Sequence, residues 1–404
     1  MKNLFLLPLS IVFISTMLSA QNLKIKPKYL AKANELAHRF VIVDAHVDVP
    51  YRLNAKMEDI SMRTPKGDFD YVRAKEGGLT APFMSIYVPS SLQKTVGASR
   101  NYADTLIDLV EGLVKKNPEK FALAYTPDEV EANFKKGLIS LPMGMENGSP
   151  IEDKLENVAH FHKRGVRYIT LTHAEDNLIC ASSYNLNNKW NGLSLFGKQV
   201  VEEMNRVGIM IDVSHVSDKT IEQVLEISKA PLIASHSSCR KYTPTLIRNL
   251  SDDLIKKIAA KGGVIHINFS SLFLDKTASE AFLQERQDKR EWLLKNNVTM
   301  SDPSYKAFDA EYERTHPTHF STIQRLVEHI DHIKKLVGID YVGFGSDFDG
   351  AGDTFPEGIK DVSMYPNLIA LLLKRGYSES DIEKICYKNT FRVWREVERI
   401  SKNK

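Results

Sequence analysis

Short apolar runs that each end in a metal-binding or proton-binding side chain recur down this chain, and no other feature narrows its fold as far. The first is Val41-Ile-Val-Asp-Ala-His-Val-Asp-Val-Pro50, rich in β-branched residues and delivering His46 and Asp48 just before Pro50 breaks the strand. Residues two apart on a strand share a face. An imidazole nitrogen and a carboxylate oxygen therefore converge on one point, and both are donors that suit a borderline cation such as zinc. A lone His-x-Asp is weak evidence, since a satisfied polar strand end explains it as well. Repetition changes the balance.

A second apolar run, residues 81–88, follows Gly77-Gly78 and is closed by Pro89. Residues 138–145 lead to Glu146, 167–172 to His173, 208–214 to His215 and 231–235 to His236. Residues 263–268 form a seventh run, and 340–346 lead to Asp347. Between these runs the spacing of apolar residues predicts helices over 21–40, 99–116, 151–164, 192–206, 218–228 and 319–337, with another opening at Thr126 as cap. Polar residues 52–76 read as a loop over an active face, and 271–318 as a long charged insertion.

Strands alternating with amphipathic helices predict an α/β fold, a (β/α)8 TIM-like barrel, with a doubly wound open sheet as the alternative. The ligands favour the barrel. His46, Asp48, Glu146, His173, His215, His236 and Asp347 all fall at or just past the C-terminal ends of strands, the rim where barrel enzymes place their chemistry.

Composition sets the compartment and excludes some partners. Lys2, an apolar run from Leu4 to Leu18, and the small pair Ser19-Ala20 read as a secretory signal peptide over residues 1–20, too short an apolar run to span a bilayer. The expectation is an exported chain, periplasmic or secreted, with residues 21–404 as one domain. The polar C-terminus offers no lipid-attachment signal, so no lipid anchor is expected. A net charge of +3 without a basic stripe gives no reason to invoke nucleic acid. Cys180, Cys239 and Cys386 are too few and too far apart for a disulfide framework, so stability must come from a core.

The strong donors, His46, Asp48, Glu146, His215 and His236, make three imidazoles and two carboxylates. A catalytic zinc usually takes three protein ligands and leaves a position open for water, so five ligands with one shared carboxylate serve two ions. Glu146, alone on its strand, is the natural bridge. Two Zn2+ ions about 3.5–4 Å apart can also share a water or hydroxide, made nucleophilic near neutral pH.

The motifs Asp44-Ala-His-Val-Asp48, Gly144-Met-Glu146, Leu171-Thr-His173, Ile211-Asp-Val-Ser-His-Val-Ser217, Ser235-His-Ser-Ser238, Arg248-Asn249 and Val342-Gly-Phe-Gly-Ser-Asp-Phe-Asp-Gly350 resemble the membrane (renal) dipeptidase family of zinc metallopeptidases. They occur in the same order, from about Phe40 to Asn389. The resemblance implies that His46 and Asp48 hold one zinc, His215 and His236 the other, and that Glu146 and a hydroxide bridge them. It implies that His173 polarises the scissile carbonyl, Arg248 receives the substrate's terminal carboxylate, and Asp347 handles the proton. The substrates would be small dipeptides with a free C-terminal carboxylate, and a homodimer is implied as well. Two departures stand out. The tether and disulfides of the animal enzymes find no support here, and Ser270 stands where they have a tyrosine near the substrate.

Fold and metals do not by themselves fix a substrate, so a barrel hydrolase acting on another amide, a lactone, a β-lactam or a phosphoester is a second reading. A non-catalytic binding protein is a third, but it would be expected to have lost a ligand or Asp347, and none is missing. The other histidines carry plainer readings: His38 at the surface, His266 in the interior of a strand, His160, His162, His329 and His332 on helix faces, and His316 and His319 in a loop. Asp44 shares the ligand face, either supporting the ligands or satisfying buried hydrogen bonds, and Asp349 reads as a cap or turn.

Overall fold

The computed structural model describes residues 25–185 and 188–403. The signal-peptide expectation therefore lies outside the described residues. Among the described residues ten strands run in chain order: β1 (Val43–Val47), β2 (Ala81–Tyr87), β3 (Phe121–Leu123), β4 (Ile139–Leu141), β5 (Met143–Glu146), β6 (Val166–Thr170), β7 (Met210–Asp212), β8 (Leu232–Ala234), β9 (Val264–Ile267) and β10 (Val342–Phe344). Eight of them close into a parallel barrel, and β3 and β4 pair in a small side sheet. β1 bonds to β2 on one side and to β10 on the other, which closes the barrel and rules out the open doubly wound sheet.

The predicted helices form, the first, third and last starting several residues later than expected and residues 21–24 lying outside the described residues: Pro27–Arg39, Ala98–Lys116, Glu156–Lys163, Leu195–Val207, Asp218–Ile227 and Ile323–Val337. Thr126 caps Pro127–Lys135 in a full capping box with Glu129, which satisfies two otherwise unpaired backbone donors. Three expectations need correction. The run 138–145 is two strands, because Pro142 has no N–H for a continuous ladder, and the chain leaves the side sheet there to enter the barrel. The segment 52–76 is a loop only in its middle, flanked by helices Val49–Ala55 and Tyr71–Gly77. The charged insertion is a helical hairpin, Lys276–Asn296 followed by Pro303–Thr315, joined by a stacked Trp292–Phe308 pair with centroids 4.7 Å apart.

Inside the barrel, large side chains fill space that facing glycines leave. A Cβ on Gly144 would lie 2.0 Å from the Tyr168 ring, and one on Gly343 would lie 2.5 Å from the His266 ring. His266 is an interior residue, its ring nitrogens paired with Ala234 O at 3.0 Å and Thr390 Oγ1 at 2.8 Å. The C-terminal helix Asn389–Lys402 plugs the N-terminal end with Phe391 and Trp394, the latter 5.2 Å from Phe83 between ring centroids. Chemistry is thereby left to the opposite rim. All three cysteines are buried and unpaired. No helix among the described residues is long and apolar enough to cross a membrane.

Candidate active site

Apart from Arg248, each site residue is delivered by the end of a strand. His46 lies on β1 with Asp48 just beyond it, and Glu146 is the last residue of β5. His173, His215, His236 and Asp347 lie two or three residues past β6, β7, β8 and β10. His215 and Asp347 turn inward through left-handed backbone, with φ of +68° and +67°. Such a conformation costs a non-glycine residue about 1–2 kcal/mol and persists only where neighbours enforce it. The enforcement is visible: Ser183 N donates to His215 O at 2.8 Å, and Asp347 N donates to His46 O at 3.0 Å.

Glu146 is the hub. Its Oε2 faces His46 Nε2 at 3.3 Å, and its Oε1 faces His215 Nε2 at 2.9 Å, His236 Nε2 at 3.4 Å and His173 Nε2 at 3.6 Å. Asp48 Oδ2 approaches His46 Nε2 from the other side at 3.4 Å. Three donor clusters result: His46–Glu146–His236, Glu146–His173–His215 and His46–Asp48–Asp347. The first two share Glu146, whose Oε2 turns to His46 and whose Oε1 turns to His215, His236 and His173. That is the arrangement of a binuclear metal site.

A cation fits these donors on two grounds. His46 Nε2 and Asp48 Oδ1 are buried without a hydrogen-bond partner, and His215 Nε2 and His236 Nε2 face each other at 2.7 Å. Partnerless buried atoms such as the first two are costly unless a cation meets them, and the second two are lone-pair donors converging on one point. The far sides of two of the rings are also occupied. His46 Nδ1 pairs with the Tyr168 hydroxyl at 2.8 Å and His236 Nδ1 with Ser235 Oγ at 2.7 Å, leaving both Nε2 atoms to point inward.

Electrostatics agree. Burial holds His215 and His236 well below the ordinary imidazole range, helped by the positive charge of Arg248 beside the first and of His46 beside the second, so both offer lone pairs. Burial would push the Glu146 carboxyl up, but the imidazoles around it, His46 first, bring it well below the usual range. Burial opposes charge on His46 too, yet Tyr168, Glu146 and Asp48 raise it well above its usual value. The groups that favour a proton there also favour a metal cation. Asp347 is pushed well up by burial and then by Asp48, and its Oδ2 accepts from Asn268 Nδ2 at 2.9 Å.

Arg248 reaches the same pocket. It is buried, giving Nη1 to Ser237 Oγ at 2.6 Å and Nη2 to His236 O at 2.8 Å, with Nε unpartnered. Thus the structure gathers all eight residues singled out from the sequence.

Several residues the sequence reading left unassigned support them. Asp212, wholly buried on β7, accepts from Ser235 N at 2.8 Å, from Ser235 Oγ at 2.7 Å and from the Thr170 hydroxyl, so it fixes the serine beside His236. A carboxylate inside a β-branched run was the available signal, the same one that drew attention to Asp44. Asp44 takes the buried hydrogen-bonding role: Ser346 N at 2.8 Å and the Tyr365 hydroxyl at 2.6 Å donate to it. Asp349 turns the chain with φ of +65° and ties it to Asp68, whose N–H it accepts at 2.6 Å. Tyr87 packs edge-on against His173, centroids 4.8 Å apart.

A closed (β/α)8 barrel with two donor clusters sharing one carboxylate on its catalytic rim defines a metal-dependent hydrolase. More narrowly, the chain belongs to the membrane dipeptidase family (peptidase family M19), whose model matches residues 30–404, and it is a metallopeptidase of that family. It is 30% identical over 383 residues to dipeptidase 3 of Rattus norvegicus, covering 93% of this chain and 68% of that one. Among solved structures it is similar to the probable dipeptidase PvdM from Pseudomonas aeruginosa, with a TM-score of 0.80, 29% identity, and coverage of 93% of this chain and all of the other. A metallopeptidase from Rhodobacter sphaeroides, liganded with a phosphinate mimic of the dipeptide L-Ala-D-Ala, matches with a TM-score of 0.73 at 25% identity, over 89% of this chain and 99% of that one.

Proposed function

We propose that this enzyme hydrolyses dipeptides carrying a free C-terminal carboxylate, using two zinc ions held by His46 and Asp48 on one side, His215 and His236 on the other, and Glu146 between them. The observation that carries the reading is the division of Glu146, with Oε2 toward His46 and Oε1 toward His215. The Rhodobacter relative's dipeptide mimic supports the substrate class. When bound, the ions supply Lewis acidity and lower the proton affinity of water.

The chain's own groups do the rest. Arg248, fixed by Ser237 and His236 O, holds the terminal carboxylate of the substrate through its remaining N–H groups. His173, partly open to the pocket and kept neutral by burial, presents a ring N–H to the carbonyl oxygen as that oxygen gains charge. Asp347, whose raised proton affinity suits a carrier, takes the proton of the attacking water on a carboxylate oxygen and delivers it to the departing amine. Asn268 keeps that carboxylate aimed. Residues 1–20 act as the export signal of a periplasmic or secreted enzyme, residues 21–404 form one domain, and the family resemblance carries over pairing into a homodimer.

The test is to purify the mature chain, measure zinc per chain and mass in solution, and assay L,L and L,D dipeptides beside C-amidated versions, with and without chelator. Free dipeptides should be cleaved about 10- to 100-fold faster than amidated ones, the worth of a charge-assisted bond to Arg248. Equal rates would remove Arg248 from its role, and chelator-resistant turnover would remove the metals.

A further inference from the structure

The insertion hairpin brings a cation to the mouth of the site. Along its first helix, Lys276–Asn296, Ser279, Phe282 and Arg286 recur at helical spacing and so share one face. That face meets Tyr184, which follows Ser182-Ser183 on the loop after β6. The Arg286 guanidinium lies 5.3 Å over the Tyr184 ring and 5.7 Å over that of Phe282. Tyr184 in turn lies 5.9 Å from the His215 ring, between centroids. Arg286 is therefore one aromatic ring away from a candidate metal ligand.

Three further observations bear on what this cation does. The charges of both Arg248 and Arg286 act on Tyr184, which is held mainly by burial. Arg286 is exposed and, among the described residues, forms no ion pair, whereas Lys289 one turn on is bound to both Glu285 and Asp309. Stacking on two rings orients the guanidinium without using its N–H donors. Among the described residues the hairpin thus holds an oriented guanidinium fork without an acidic partner, one aromatic ring from His215.

We propose that Arg286 is a specificity-determining residue that selects dipeptides whose C-terminal residue has an acidic side chain, binding that second carboxylate while Arg248 binds the first. The inference rests on the dipeptidase reading above and names its substrate class. An exposed guanidinium–carboxylate pair is worth up to about 1 kcal/mol, so the preference is moderate: about fivefold for glutamate over its neutral isostere.

The test uses zinc-loaded mature enzyme on Ala-Glu and Ala-Gln, each with an L or a D C-terminal residue, since these pairs differ only in charge. The ratio of kcat/KM for Ala-Glu over Ala-Gln should be about fivefold in at least one series, residing in KM, and should shrink as salt is raised. Arg286→Gln should bring the ratio near one, Arg286→Lys should keep part of it, and Arg286→Glu should invert it. A wild-type ratio at or below one in both series overturns the proposal, as does a ratio that Arg286→Glu leaves unchanged. Failure to cleave any dipeptide would sink the dipeptidase reading itself, a separate result.

Discussion

The catalytic rim and the insertion hairpin are built on opposite terms. At the rim, side chains from six strand ends interlock; His46, Glu146, His215 and His236 among them are buried with almost no freedom, and backbone is even held left-handed at His215 and Asp347. The hairpin is mostly exposed. Its first helix buries only Ala278 and Ser279, and its two helices meet through the Trp292–Phe308 stack and the Lys289–Asp309 pair. The difference separates two jobs. Chemistry needs positions fixed to a fraction of an ångström, whereas choosing among substrates needs only a modest interaction in the right place, which a peripheral element can supply and change without disturbing the centre.

Substitutions can break that contrast or sharpen it. The largest effect is expected from Glu146→Gln, which removes the charge shared by both halves: zinc per chain should drop below one and turnover should fall to background. Retention of two zincs in that variant would show that the halves are independent. Asp347→Asn should separate metal binding from chemistry, lowering kcat about 10²- to 10⁴-fold, the usual reach of a proton-transfer group, with zinc content unchanged. Full activity there would leave the proton to another residue. Ser235→Ala acts one layer out, through His236 Nδ1. It should weaken zinc binding about 10- to 100-fold by competition with a chelator, and zinc-saturated enzyme should keep most of its turnover. The smallest effect belongs to the hairpin: Trp292→Ala removes an aromatic pair worth about 0.5–1.5 kcal/mol. Amide exchange should quicken across 276–315 while zinc content stays at the wild-type value; loss of zinc would mean that the hairpin supports the rim after all.

The same contrast explains what could be read in the sequence. Metal chemistry tolerates few residue types, and a barrel puts them at strand ends, so His46, Asp48, Glu146, His173, His215, His236 and Asp347 stood out as polar endings of apolar runs. Arg248 did not. Surface arginines are common and nothing local marks this one, so only the family resemblance selected it. Asp212 escaped because its partners, Thr170 and Ser235, come from other strands. Pro142 was visible, yet both sides of it are apolar, and the change of sheet depends on what β3 offers as a partner. The hairpin was unreadable for a different reason. Charged residues of both signs surround its few aromatic contacts, so no continuous apolar stripe marks a helix, and the partner that makes Arg286 meaningful, Tyr184, lies about a hundred residues away. The C-terminal helix that plugs the barrel had no ligand to draw attention to it.

The most direct measurement is a crystal structure of the zinc-loaded chain with anomalous data at the zinc edge. Two ions per chain are expected, one against His46 and Asp48, one against His215 and His236, with a different oxygen of Glu146 on each. A single ion, or a Glu146 that touches neither, would contradict the idea that this carboxylate joins the two halves of the site.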